Sequence, residues 1–159
     1  MEITEIIPQK NILMMEAARE DKQELLREVL ESTVKDTDLE KCKEDLWRTL
    51  LERERSMSTG IGLGVAIPHC SSEFVHDVKG FLVLLKKGID FQAVDDEPVR
   101  IIVLLLLPKN KFEKHIKTLA SIARLFNDET FRKKILKART SEEVFELIQN
   151  ETKAKNGKT

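Results

Sequence analysis

Ser58-Thr59-Gly60-Ile61-Gly62-Leu63-Gly64-Val65-Ala66-Ile67-Pro68-His69 is the stretch on which the fold turns, because the chain reads as helix before it and as strand after it. It places half of the six glycines within five positions, a spacing in which no regular element is expected to survive. Val65-Ala66-Ile67 then predicts a short strand, stopped by Pro68, with His69 at its end.

Working upstream, Asp21 with Glu24 reads as a capping box ahead of Leu25, Leu26, Val29 and Leu30, so a helix starts in the polar cluster Arg19-Glu20-Asp21-Lys22. Before it, Ile12 to Met15 is a short apolar stretch. Thr37 with Glu40 forms a second box, and Leu39, Cys42, Leu46, Trp47, Leu50 and Leu51 recur at helical spacing until a stop near Arg53 to Met57.

Downstream, Phe81 to Leu85 and Val99 to Leu107 are continuous apolar runs, the pattern of strands covered on both faces, with a turn at Asp95-Asp96-Glu97-Pro98 between them. Phe112, Ile116, Leu119, Ile122, Ala123 and Phe126 trace one helical face, broken at Asn127-Asp128. Two shorter helices follow, over Phe131 to Lys137 and, capped by Ser141, over Glu142 to Gln149. The expected architecture is a single α/β domain over residues 3–149, a central mixed β-sheet covered by helices on both faces. Residues 150–159, with no large apolar side chain, are expected to form a flexible tail.

The 159 residues suffice for one core, and 41% hydrophobic with 35% charged residues is the balance of a soluble globular chain. Lys and Arg total 27 against 28 Asp and Glu, a net charge of −1 that offers no broad basic field to nucleic acid or anionic lipid. The amino terminus has no signal-peptide character and no apolar run is long enough for a bilayer span, so a cytoplasmic protein without membrane insertion is expected. Cys42 and Cys70 make no disulfide framework.

The glycine triplet invites a phosphate-cradle reading. Its order is wrong for nucleotide binding, since the glycines follow a helix and lead into a strand, and the terminal Asn156-Gly157-Lys158-Thr159 imitates a Walker loop with no helix after it. A tight turn or bulge is the plain reading; a loop offering backbone donors beside His69 is the functional one. His69, Cys70 and His76 are metal-ligating types, but neighbours on an extended chain point to opposite faces, and no metal or other cofactor is expected. His115 shares an i, i+3, i+7, i+10 stripe with Phe112, Leu119 and Ile122. That position suits a core histidine satisfied by a hydrogen bond, the alternative being an imidazole serving a charged group in a cleft.

The run Arg53-Glu54-Arg55-Ser56-Met57 followed by Ser58 to His69 resembles the signature of the fructose- and mannitol-type EIIA domains of the bacterial phosphoenolpyruvate-dependent phosphotransferase system, whose nitrogen-regulatory branch shares the domain. The likeness extends through Phe91-x-Ala93-x-Asp95-x-x-Pro98-Val99, the strand ending in Pro108, and His115 with Leu119. It implies that His69 is phosphorylated by HPr or its nitrogen-branch counterpart. The phosphoryl group would pass to an EIIB cysteine in sugar uptake or, in the regulatory branch, switch binding to target proteins.

The resemblance further implies that Arg53 balances phosphoryl charge and that His115 is the neighbouring imidazole, which reverses the core reading of that residue. Thr59, Gly62 and Gly64 are the candidates for a phosphoryl-binding loop. The chain departs from the family pattern after the histidine, where Cys70-Ser71 stands in place of a small residue followed by a basic one. An exposed thiol there would be open to oxidation, and Arg55 is the cation available to compensate.

Overall fold

Two long apolar strands and the helices that cover them organise the molecule. The computed structural model describes residues 2–16 and 21–156, so Arg19 and Glu20 of the polar cluster and residues 157–159 of the expected tail lie outside it. In chain order the elements are α1 (Ile3–Ile6), a 3-10 turn (Gln9–Asn11), β1 (Ile12–Met15), α2 (Lys22–Val34), a second 3-10 turn (Glu40–Cys42) and α3 (Lys43–Ser56). Then come β2 (Gly60–Gly62), β3 (Val65–Ala66), β4 (His69–Ser72), β5 (Lys79–Ile89), β6 (Val99–Pro108), α4 (Phe112–Phe126), α5 (Glu129–Lys137) and α6 (Ser141–Asn156).

The sheet is mixed, as expected, with strand order β1-β5-β6-β3-β2 and β4 also paired to β6. β5 and β6 run antiparallel at its centre, and β1, β3 and β4 add in parallel. The unbroken apolar run of β6 follows from burial on both faces. Ile102, Leu104 and Leu106 pack with Leu25, Leu26, Leu30, Leu46 and Leu50 of α2 and α3. Ile101, Val103, Leu105 and Leu107 pack with Ile122, Phe126, Phe131, Ile135 and Ile148 of the C-terminal helices. No helix among the described residues is long and apolar enough to cross a membrane.

β3 and β4 lie end to end along the same side of β6, covering Ile101-Ile102 and then Leu105 to Pro108. The break between them is Ile67-Pro68. Pro68 has no N–H for a ladder, and the N–H of Ile67 points away from β6 to the Thr59 carbonyl at 3.0 Å, continuing the β2–β3 pairing.

Four local expectations are corrected. The glycine stretch does hold a strand: β2 pairs antiparallel with β3 through an irregular register, and Gly62 (φ 95°), Leu63 (φ 60°) and Gly64 (φ 77°) make the left-handed turn. The second long helix starts at Lys43 rather than at the Thr37 box: the Thr37 hydroxyl donates to the Val34 carbonyl and accepts from the Leu39 N–H at 3.2 Å, and the 3-10 turn Glu40–Cys42 comes first. Ile116 is 52% exposed: the inward stripe of α4 is His115, Thr118, Ile122 and Leu125, and Ile116 lies about 100° around the helix from His115. The last helix is capped by the Thr140 hydroxyl, which accepts from the Glu143 N–H. It continues to Asn156 because no breaker follows Gln149 and the Lys155 ammonium reaches the Arg124 carbonyl at 3.1 Å.

Candidate active site

His69 opens β4 at the break in the strand, half-buried against the edge of β6 opposite Leu105. Its Nδ1 lies 2.9 Å from the Ile67 carbonyl oxygen. A carbonyl can only accept, so Nδ1 carries the hydrogen and Nε2 keeps its lone pair. Burial pushes the imidazole proton affinity below the usual histidine range and the Arg53 charge adds to the shift, against opposition from the Ile67 bond. The ring is therefore neutral near pH 7, as a nitrogen nucleophile must be.

Arg53 and His115 act electrostatically on this imidazole from two further elements. Arg53 sits in the last turn of α3, where its Nη1 donates to the Met57 carbonyl at 2.8 Å; among the described residues the rest of the guanidinium fork has no hydrogen-bond partner and can meet an anion. His115 lies in the first turn of α4, which starts four residues after β6 ends, and it is 9% exposed. The expected hydrogen bond that would satisfy it in the core is not made: its Nε2 is buried with no hydrogen-bond partner among the described residues. A buried imidazole nitrogen without a partner costs stability unless something else supplies one.

The three loop candidates separate. Gly62 and Gly64 occupy the tip of the β2–β3 turn, beside Val65, which is in register with Ile101. His69 is in register with Leu105, four residues further along β6, or roughly 13 Å away at the usual strand rise. Neither glycine is placed to cradle a group on His69. Thr59 is nearer, joined to Ile67, but its N–H and hydroxyl both donate to the Glu54 carboxylate, at 2.9 and 2.6 Å, so it has no donor to spare.

Glu54 is the residue that sequence reasoning missed. Its side chain is 4% exposed and pairs with Lys22 Nζ at 2.6 Å. The signal was present, since Leu46, Leu50 and Glu54 succeed one another at i+4 on the buried face of α3, a charge continuing an apolar stripe. Cys70 corrects another expectation. Its thiol is not exposed but 3% accessible, turned into the core under α2 and α3, and burial pushes it up to about 12. It is a small core side chain, inert toward oxidation at neutral pH. His76 and Arg55 are solvent-exposed.

The sequence matches the family model described as phosphoenolpyruvate-dependent sugar phosphotransferase system, EIIA 2, over residues 5–151. The chain belongs to that family. A nitrogen regulatory protein of Bradyrhizobium diazoefficiens is 35% identical over 103 residues, which is 65% of this chain and 67% of that protein. A fructose-specific EIIA component of Haloferax volcanii is 33% identical over 99 residues, 62% of this chain and 64% of that protein. The match thus spans about two thirds of the length of these curated relatives. The crystal structure of the nitrogen regulatory protein IIA-Ntr from Neisseria meningitidis superposes with a TM-score of 0.79 at 31% identity, covering 92% of this chain and 98% of that one. EIIA domains of this family are phosphotransfer components, and both its sugar and its regulatory branches are similar to this chain.

Proposed function

We propose that the protein is a phosphohistidine carrier in which His69 Nε2 takes a phosphoryl group from the histidine of an HPr-type protein. The observation that carries this reading is the Nδ1 bond to Ile67, which leaves Nε2 as the free lone pair on a ring kept neutral by burial. As the Nε2–P bond forms, the N–P bond of the donor breaks, and the donor histidine, protonated on its other ring nitrogen, takes back the electron pair and leaves as a neutral imidazole. The new ring is cationic, and the Ile67 carbonyl accepting from Nδ1–H stabilises that charge. Charge spreads over three phosphoryl oxygens in such a transfer. Arg53 meets it with a permanent guanidinium, and His115 offers Nε2 as a hydrogen-bond donor, gaining the partner it lacks in the unphosphorylated protein.

In the sugar-uptake reading the group moves on to the thiolate of an EIIB cysteine. The regulatory reading, in which the phosphorylation state of His69 switches affinity for target proteins, draws on the 31% identity to IIA-Ntr, as the sugar reading draws on the 33% identity to the fructose-specific EIIA component. Both readings share the first transfer. It is tested by incubation with phosphoenolpyruvate, Enzyme I and HPr or its nitrogen-branch counterpart, followed by intact mass in mild base. One phosphoryl group on the wild-type chain and none on His69→Ala is expected, whereas label persisting in that variant overturns the assignment. Adding EIIB then separates the branches, since a relay loses its phosphate rapidly to the cysteine and a switch retains it.

A further inference from the structure

An unbroken set of polar contacts runs from the surface of α2 to the His69 ring, and none of its members is a surface ornament. Lys22 Nζ sits 2.6 Å from Glu54 Oε1, 3.1 Å from the Phe91 carbonyl oxygen, and 4.5 Å from the centroid of the Phe91 ring. Glu54 Oε1 accepts from the Thr59 N–H at 2.9 Å and Oε2 from the Thr59 hydroxyl at 2.6 Å. The Thr59 carbonyl accepts from the Ile67 N–H at 3.0 Å, and the Ile67 carbonyl faces His69 Nδ1 at 2.9 Å.

We propose that Glu54, with Lys22 as its counter-charge, is a positioning residue for phosphoryl transfer that holds the His69 ring in its Nδ1–H form through Thr59 and the Ile67 peptide. The inference rests on His69 being the phosphoryl acceptor. Ile67 occupies the gap between β3 and β4, so the β6 ladder does not fix its N–H, and Pro68 contributes no N–H of its own. The Leu105 N–H of β6 holds the Pro68 carbonyl at 3.0 Å, so this segment is anchored at its His69 end by β6 and at its Ile67 end by Thr59. Both donors of Thr59 end on Glu54, so the carboxylate decides where that anchor sits.

The burial of the pair supports a positioning role over a stabilising one. An apolar side chain at position 54 would extend the Leu46 and Leu50 stripe, and replacing buried ion pairs by packed apolar groups is commonly neutral or stabilising. What an apolar residue lacks is the two-oxygen acceptor that fixes Thr59. Partners that orient a reactive imidazole from behind are worth about 10-fold to 100-fold in function where they have been removed from metal-bound histidines, and the same logic of tautomer and ring angle applies to a nucleophile.

The test uses the full chain labelled with 15N, reading the His69 tautomer from long-range imidazole correlations and the HPr-driven phosphorylation rate from intact mass. Glu54→Gln keeps the shape and removes the charge; Thr59→Val removes the hydroxyl; Thr59→Ser keeps it. Folded Glu54→Gln is expected to slow phosphorylation about tenfold or more and to populate both His69 tautomers, as misplacement of a second-layer partner does. Thr59→Val is expected to show the same changes in smaller degree, and Thr59→Ser to restore them.

A folded Glu54→Gln whose His69 stays wholly in the Nδ1–H form, with a rate within about twofold of wild type, overturns the proposal. If that variant does not fold, the Thr59 pair decides: unchanged tautomer and rate in Thr59→Val overturn it, and a loss restored in Thr59→Ser supports it. The wild-type and His69→Ala controls report separately on whether His69 is the acceptor, because the tautomer is read without phosphorylation.

Discussion

A histidine serves as a phosphoryl acceptor when one ring nitrogen is tied down and the other is bare, and His69 meets both conditions through the Ile67 carbonyl. Its lowered proton affinity makes a pH prediction. Below an ordinary histidine midpoint of about 6.5 the unfolded chain binds the proton that folded His69 resists, so stability from this group is present above that pH and falls as pH drops toward the lower folded midpoint. The rate of phosphorylation is therefore expected to be flat from about pH 6.5 to 8 and to decline only at more acid pH, measured with a donor kept saturating.

Arg53→Ala is expected to slow transfer about tenfold to a hundredfold while leaving the unfolding midpoint near wild type, because its side-chain hydrogen bond among the described residues is to the Met57 carbonyl at the helix end. An unchanged rate removes its proposed role. At this scale the residues alone marked His69 as a histidine at a strand end, whereas the roles expected of Arg53 and His115 came from the family resemblance. The sequence was illegible for Thr59, Gly62 and Gly64: which donors are already spent on Glu54, and how far a turn tip projects from the strand break, depend on pairing that no local pattern encodes.

The elements that place these groups are a helix end, a broken strand and a helix start. The β2–β3 turn closes against the loop after β5 so tightly that a Cβ on Gly60 would lie 2.8 Å from the Ala93 Cβ and 2.9 Å from its Cα. Gly60→Ala is expected to destabilise the fold by about 1–3 kcal/mol in chemical denaturation, since the opposing backbone cannot yield as a flexible side chain would. Reading the glycines as a region without regular structure was reasonable from conformational freedom alone. The strand forms there because Ala66 and Ile67 supply partners across the turn, a tertiary gain that propensity does not contain. The boxes at Asp21 and Thr37 look alike in sequence, yet Asp21 opens an α-helix, accepting from the Gln23 N–H at 2.8 Å, while Thr37 donates to the Val34 carbonyl at the end of α2 and accepts from the Leu39 N–H at 3.2 Å, ahead of a 3-10 turn.

For the molecule as a whole, the strand most central to the site is also the one buried on both sides. Leu104 and Leu105 are neighbours on β6, both fully buried, the first against α2 and α3 and the second against the C-terminal helices. Leu104→Ala and Leu105→Ala are each expected to cost about 2–5 kcal/mol in urea unfolding, whereas a sheet with one wet face would leave one of the two nearly neutral. The continuous run of apolar residues made this sandwich legible before any coordinates, because alternation is the mark of a strand with one wet face. What the run does not encode is strand order, and the strand order brings β4 beside β6, where His69 feels the charges of both Arg53 and His115.

The most direct measurement is the position of phosphorus on the ring. Phosphorylating 15N-histidine-labelled protein through the HPr relay and reading phosphorus–nitrogen couplings should give a single phosphohistidine at His69 Nε2, with Nδ1 still protonated against Ile67. Phosphorus bonded to Nδ1 of His69, or to any other residue, would contradict the account.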